Sequence, residues 1–352
     1  MNILVTGGAG FIGSALCRVL AEDPSNHVVA FDKLTYAANL GSLRELNLRP
    51  NFKLVCGDIC DGAFVLETLR TEAVERVFHL AAETHVDRSI QDPEPFLNTN
   101  IYGTACLLGA ALTFWQSLPP KRKAQFRLHH VSTDEVFGDL PFDDSLFSEE
   151  TPYAPSSPYS ASKAASDHLV HAWHRTYGLP VTISHCSNNY GPFHNREKLI
   201  PMAISNALEG RDIPVYGSGK NVRDWLYVED HVDALIRIAD AAQPGSRYAI
   251  GGNSQRTNLE VVLGVCCILD QKHRKETGGS YIEQVCFVVD RPGHDRRYAI
   301  DTSDIERDLG WRAAVSFETG LERTVDWFLA NTWWWRLPNP IPAQTDIPLV
   351  LP

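Results

Sequence analysis

No two cysteines in this 352-residue chain are spaced as C-x-x-C. The eight that occur are scattered through apolar runs, so neither a zinc site nor a disulfide framework is expected, no metal is assigned, and a reducing cytoplasm is implied. The chain also lacks an apolar run of about 18 residues. It enters through "MNILVTGG" without a basic region ahead of an apolar segment, so secretion and membrane spanning are not expected. Positive charge is scarce: the formal net charge is -11, which argues against broad contact with nucleic acid or an anionic membrane. Any anion site must therefore be small and local. No internal repeat is present. With 44% hydrophobic and 21% charged residues, what remains is an ordinary globular protein, long enough for one large core or two domains sharing a cleft.

Short β-branched runs alternate with helical stretches through the first half: "NILVT", a helix from Ile12, "HVVAFD", "FKLVCGD", "RVFHLAA", a long helix near Phe96 to Trp115, "FRLHHVS", a helix from Pro158, then "PVTISHC". This alternation predicts an α/β fold, a Rossmann-type doubly wound parallel sheet covered on both faces. After about Gly191 the rhythm loosens. "PVYGSGK", "TNLEVV" and "QVCFVVDRPGHD" read as smaller elements between turns, so residues 1–190 are expected to bind cofactor and 191–352 mainly to form a smaller substrate lobe, the chain being free to cross between them. The tail "NPIPAQTDIPLVLP" reads as extended, and Trp333, Trp334 and Trp335 as packing or interface residues.

"VTGGAGFIGS" follows a strand and opens a helix. It fits two registers, Gly8-x-Gly10-x-x-Gly13 or Gly7-x-x-Gly10-x-x-Gly13, and either gives a tight turn with a helix N-terminus facing a pyrophosphate. Asp32 ends the second strand about 20 residues beyond the last glycine, where a carboxylate grips an adenosine ribose and repels a 2′-phosphate. NAD is thus favoured over NADP, with Lys33 beside it as the opposing charge. Asp58 and Ile59, then Leu80 to Thr84, end later strands on the expected crevice. Asp58 could meet adenine, Ala81 and Ala82 let backbone approach a cofactor, and His79 reads as core.

Tyr159 and Lys163 in "PYSASKAASDH" share a helix face, where an ammonium would lower the phenol's pKa and make it a usable base. Tyr216 and Lys220 have the same spacing, but Gly217 and Gly219 make that stretch a turn. "STDEVFG" raises a separate question, because Asp134 and Glu135 stand side by side after Thr133 at a strand end. Adjacent acids in a loop can simply be solvated or sit at a helix N-cap. Alternatively, they form an acid and base pair.

The glycine fingerprint, Asp32, Tyr159 and Lys163 resemble the extended short-chain dehydrogenase/reductase family. Within it, "AAETHVDRSI", "VSTDEVFG", "CSNNYGPFHNREKLIP", "VYGSGKNVRDWLYVEDH" and "DRPGHDRRYAID" are similar to the dTDP-glucose 4,6-dehydratases, from Asn2 to about Trp335. The resemblance implies NAD as cofactor and dTDP-glucose as substrate: oxidation at C4, loss of water across C5 and C6, and hydride return to C6, in deoxysugar nucleotide synthesis. It implies Tyr159 as the C4 base, Lys163 as its support, Glu135 as the C5 base, Asp134 as the C6 acid and Thr133 as a sugar contact. Around the cofactor it carries over Gly7, Gly10, Phe11, Ile12 and Gly13, then Lys33, Leu34 and Thr35, and further on Leu80, Thr99 and Asn189. For the sugar nucleotide it carries over Thr84, Asn188, Lys198 and Leu199, then Pro214, Val215, Tyr216, Arg223 and Asn258, and finally Asp290, Arg291 and His294. It also implies a homodimer through the helices near Phe96 to Trp115 and Pro158 to Tyr177, packed as a four-helix bundle. A 4-epimerase, a decarboxylase or a silent NAD-sensing protein would share the cofactor half, and the acids Asp134 and Glu135 separate those readings.

Overall fold

The computed structural model describes residues 1–276 and 278–336. Strand β1 (Asn2–Thr6) has side chains buried on both faces, as a central strand of a covered parallel sheet requires. Around it lie β2 (His27–Asp32), β3 (Phe52–Cys56), β4 (Arg76–His79), β5 (Arg127–Thr133) and β6 (Val181–Cys186). Of the smaller strands β7 (Asn188–Tyr190), β8 (Ile213–Tyr216), β9 (Val222–Tyr227), β10 (Arg247–Ile250), β11 (Gln255–Thr257) and β12 (Val285–Val288), β10 joins the main sheet. The order is β3-β2-β1-β4-β5-β6-β10, every neighbour pair parallel. The chain winds outward in both directions from β1, and the crevice beyond the strand ends at β1 and β4 is where such sheets take ligands.

The helices Phe11–Leu20 and Val228–Ala241 cover one face of the sheet. Gly62–Thr71, Thr104–Ser117 and Pro158–Tyr177 cover the other. The chain therefore returns to the large sheet after Gly191, through the Val228–Ala241 helix and β10. The smaller lobe stacks the sheets β11-β9-β7 and β12-β8 against the helices Leu199–Leu208, Asn258–Lys272 and Phe317–Ala330. Trp334 and Trp335 lie buried in that core as packing residues. The Pro-rich tail falls outside the described residues.

Two elements differ from their sequence reading. "TNLEVV" opens a 15-residue helix, Asn258–Lys272, because Thr257 and Glu260 form a capping box that the apolar run then extends. The stretch expected as one helix near Phe96 to Trp115 is α-helical over Glu94–Phe96, π-helical over Leu97–Gly103, and α-helical again from Thr104. Among the described residues no helix is long and apolar enough to cross a membrane.

Candidate active site

One cavity of about 340 Å3 runs along the carboxyl ends of the main strands and reaches under the smaller lobe. At one end are Gly7, Gly10 and Gly13, the second of the two glycine registers. Gly8 instead faces Ala30 in the sheet. Gly7 has φ +70°, and a Cβ there would stand 2.8 Å from the Ala81 nitrogen. A Cβ on Gly13 would stand 2.1 Å from the Gly7 carbonyl, so only glycine lets the helix start this close to β1. Phe11 and Ile12 open that helix beside the cavity, with its N-terminal dipole facing it. Asp32 is buried and accepts from the backbone N–H of Ala9 at 2.9 Å and of Leu34 at 2.8 Å. Leu34, at φ +57°, packs its side chain on the first core. Lys33 is engaged by Asp58 at 2.6 Å, leaving no free ammonium beside Asp32 for a 2′-phosphate. Thr35, Ile59, Leu80, Ala81, Ala82, Thr99 and Asn189 complete this side, while His79 is buried between Thr6 and Thr104 as a core residue.

At the other end, Thr133 closes β5 and caps a 3-10 turn over Asp134–Phe137, accepting from the Glu135 N–H at 3.3 Å. The two acids are therefore not the N-cap but fill the first turn after it, and that turn is not solvated. Asp134 is 2% exposed with one carboxylate oxygen unpartnered, and Glu135 is half-buried on the same wall. Burial and the neighbouring Glu135 charge push Asp134 well above the usual carboxylate range. Burial also raises Glu135, but Arg291, Arg223 and Lys198 oppose it. Both carboxyls are thus raised, Asp134 further above its ordinary range than Glu135, which favours Asp134 as the acid of the pair.

Tyr159 and Lys163 lie one turn apart on the Pro158–Tyr177 helix, which Ser157 and Ser160 start with a capping box and Pro158 at its first turn. Both line the cavity. The electrostatics differ from the simple spacing argument. The Lys163 ammonium donates to the Val131 carbonyl at 2.8 Å. Burial and the Glu135 charge push the Tyr159 phenol well above its ordinary value, with a Thr133 hydrogen bond pulling it down.

Thr84, Asn188, Lys198 and Leu199 line the same cavity, with Lys198 donating to the Thr84 carbonyl at 3.3 Å. The rest of the expected nucleotide contacts stand outside it. Arg223 is buried, donating to the carbonyls of Val222 and Asp295 and stacking over Tyr298. Arg291 pairs with Asp87 at 3.5 Å, His294 with Asp290 at 2.6 Å, and the Tyr216 ring stands edge-on to His294. Pro214 precedes Val215 in β8, and Val215 sits in the small lobe's core, so it can offer a ligand only its backbone. Asn258 opens the capped helix nearby.

Sequence reasoning gave Glu83 a place on the crevice but no role, and passed over Ser132, Cys186, Ser187, His194, Asn195 and Trp225, all on the cavity wall. Glu83 belonged to a quoted stretch, and Asn100 in the π-helical segment holds its backbone at both N–H and carbonyl. His194 gave no periodic signal, because it reaches the site by stacking on Phe11 at 4.3 Å from a distant loop.

The family model described as GDP-mannose 4,6 dehydratase matches residues 4–324. The chain belongs to this nucleotide-sugar dehydratase family. Among its members, the dTDP-glucose 4,6-dehydratase of Salmonella typhimurium is 53% identical over 342 residues, covering 95% of this chain and 94% of that protein. The structure of a Streptomyces venezuelae dTDP-glucose 4,6-dehydratase with NAD and TYD bound superposes with TM-score 0.86 at 41% identity, covering 97% of this chain and all of that one. A Bacillus cereus UDP-glucuronic acid 4-epimerase, in complex with UDP-glucuronic acid and NAD, superposes with TM-score 0.82 at 27% identity over 94% of this chain and 99% of that one.

Proposed function

We propose that the protein is an NAD-dependent dTDP-glucose 4,6-dehydratase, a hydro-lyase forming dTDP-4-keto-6-deoxyglucose and water for deoxysugar nucleotide synthesis. The observation that carries this is the Asp134–Glu135 turn, a buried acid held well above its ordinary range beside a half-buried one that three cations draw toward its carboxylate, on the wall they share with Tyr159 and Lys163. A 4-epimerase uses Tyr159 and Lys163 equally, but it has no work for an acid and a base at C5 and C6.

The glycine turn, Asp32, Ala81 and Ala82 fit a dinucleotide, and Lys33, held by Asp58, favours NAD over NADP. When bound, NAD supplies an oxidant for C4 and afterwards a reductant for C6, so no outside redox partner is needed. Tyr159 takes the C4 hydroxyl proton as its phenolate, the form that the Thr133 hydrogen bond favours against burial, with Lys163 one turn away. The C4 ketone acidifies C5, and Glu135, with three cations around it, takes the C5 proton. Asp134, held as the acid, protonates the C6 hydroxyl, which leaves as water. Arg223 and Arg291 offer the diphosphate forked donors, with Lys198 and Thr84 nearer the sugar. Residues 1–190 carry most of the cofactor side and 191–352 most of the nucleotide side.

The helices Thr104–Ser117 and Pro158–Tyr177 pack side by side and turn Ala105, Gly109, Ala161 and Ala165 outward, a surface on which a second copy completes a four-helix bundle. The eight free cysteines suit the cytoplasm. Incubation of the purified protein with dTDP-glucose and no added NAD should yield a product lighter by one water on mass analysis. Unchanged substrate, or a product of unchanged mass with inverted C4, overturns the reading.

A further inference from the structure

Behind the cavity lies a buried polar cluster that the reaction as described does not use. Asp167 follows Lys163 by one turn on the same helix and is 1% exposed. One of its oxygens accepts from His130 Nε2 at 3.1 Å. The other faces Ser132 Oγ at 2.7 Å, Tyr153 Oη at 3.2 Å and His185 Nε2 at 3.2 Å. These donors come from β5, from the loop before the helix and from β6. A carboxylate so placed can only accept, so His130 carries its proton on Nε2. Burial holds His130 down to about 4, which makes it a neutral donor at pH 7. The charge facing Asp167 from its own helix is the Lys163 ammonium. Its other titratable neighbours are His130, with the His79 ring of β4 tilted against it at 5.0 Å, His185 and Tyr153; Lys163 also faces Cys186 of β6.

The register of the clamp is specific. Successive side chains of β5 point to opposite faces, so His130 and Ser132 both face the helix while the Val131 carbonyl between them receives the Lys163 ammonium. Three consecutive residues of β5 are thus tied to one helical turn, and the next three are Thr133, Asp134 and Glu135. We propose that Asp167 is a positioning residue of the reaction, which registers the strand end bearing Asp134 and Glu135 against the helix turn bearing Tyr159 and Lys163, and supplies the buried counter-charge of the Lys163 ammonium. This rests on the dehydratase reading above. Burial works against that ammonium, and Asp167 is the largest charge opposing the loss of its proton.

Two holoenzyme variants test the two halves. Ser132→Ala cuts the tie to the strand but leaves the charge. It should lower kcat by about tenfold or more, within the hundredfold that a misplaced group can cost. Its KM, NAD content and the alkaline limb of its pH–rate profile should be unchanged. Asp167→Asn removes the charge. Its alkaline limb should move down by about 1–3 pH units, and the Lys163 ζ-carbon resonance, assigned by its loss in Lys163→Met, should titrate at correspondingly lower pH without any sugar nucleotide. That titration stands apart from turnover, so it still judges Asp167 if the unmodified protein proves not to dehydrate dTDP-glucose. A wild-type kcat in Ser132→Ala, or an unmoved Lys163 titration in Asp167→Asn, overturns the proposal. Should Asp167→Asn not fold, Ser132→Ala decides alone.

Discussion

Asp134 and Glu135 are neighbours in sequence with different surroundings, and single substitutions should separate them. Glu135→Gln keeps the shape and removes the C5 base. Nicotinamide absorbance should then rise on adding dTDP-glucose, while solvent deuterium stays out of C5 and no water is lost. Asp134→Asn should let C5 exchange continue while dehydration slows by roughly a hundred- to ten-thousandfold, the usual worth of a general acid. Reversed traces would exchange the two roles. The same acid carries a stability signature. Its pKa is raised on folding, so the stability it contributes is whole below its ordinary value of 3.8 and is lost as pH rises through the folded value. Asparagine cannot ionise. Asp134→Asn should therefore melt a few degrees above the unmodified protein at pH 8, with the gap narrowing toward pH 5, and an equal or lower melting temperature at pH 8 would contradict the burial argument.

The elements that carry chemistry are held by their ends. The Pro158–Tyr177 helix starts at the Ser157 cap, one residue before Pro158 and two before Tyr159, so fraying there moves the catalytic phenol directly. Ser157→Ala should cost about 1 kcal/mol in urea unfolding, and lower kcat more than it changes KM. Unaltered stability would mean that Pro158 and Ser160 suffice. At the cofactor turn the tolerance is smaller still. Gly13→Ala would drive a methyl into the Gly7 carbonyl, so protein purified with this change should carry no NAD while keeping its far-ultraviolet dichroism. Both elements were legible in sequence, the first from Pro158 and the second from glycine spacing. The π-helical turn at Leu97–Gly103 was not, because side-chain periodicity barely distinguishes it from an α-helix and its register is set by Asn100 bonding to Glu83 and Ser162.

At the scale of the whole molecule, a redox cycle closed within one site has no need to release its cofactor, so the purified protein should retain NAD, which chromatography of the denatured supernatant would reveal. Protein repeatedly isolated without nicotinamide, and active only when NAD is added, contradicts tight retention. Light scattering at micromolar concentration should give the mass of a dimer, and a monomer there removes the four-helix bundle.

The sequence by itself determined the alternation that builds a parallel sheet, the glycine turn, the acid at the end of β2 and the spacing of Tyr159 with Lys163, because each depends on residues near one another along the chain. Its motifs also pointed to Asp134 and Glu135. Tertiary structure alone decided that Asp134 is buried, that Glu135 is half-buried and that the two are raised to different degrees, since that depends on Arg223, Arg291, Lys198 and Asp224 arriving from the other lobe. It placed Gly7 on the cavity wall against the Ala81 backbone and turned Gly8 toward Ala30. It also raised rather than lowered the Tyr159 pKa, because burial and Glu135 act on the phenol while the Lys163 ammonium is bound at the Val131 carbonyl. Local spacing fixes which groups can meet, but the charge each one carries follows from solvent exclusion and from neighbours distant in the chain.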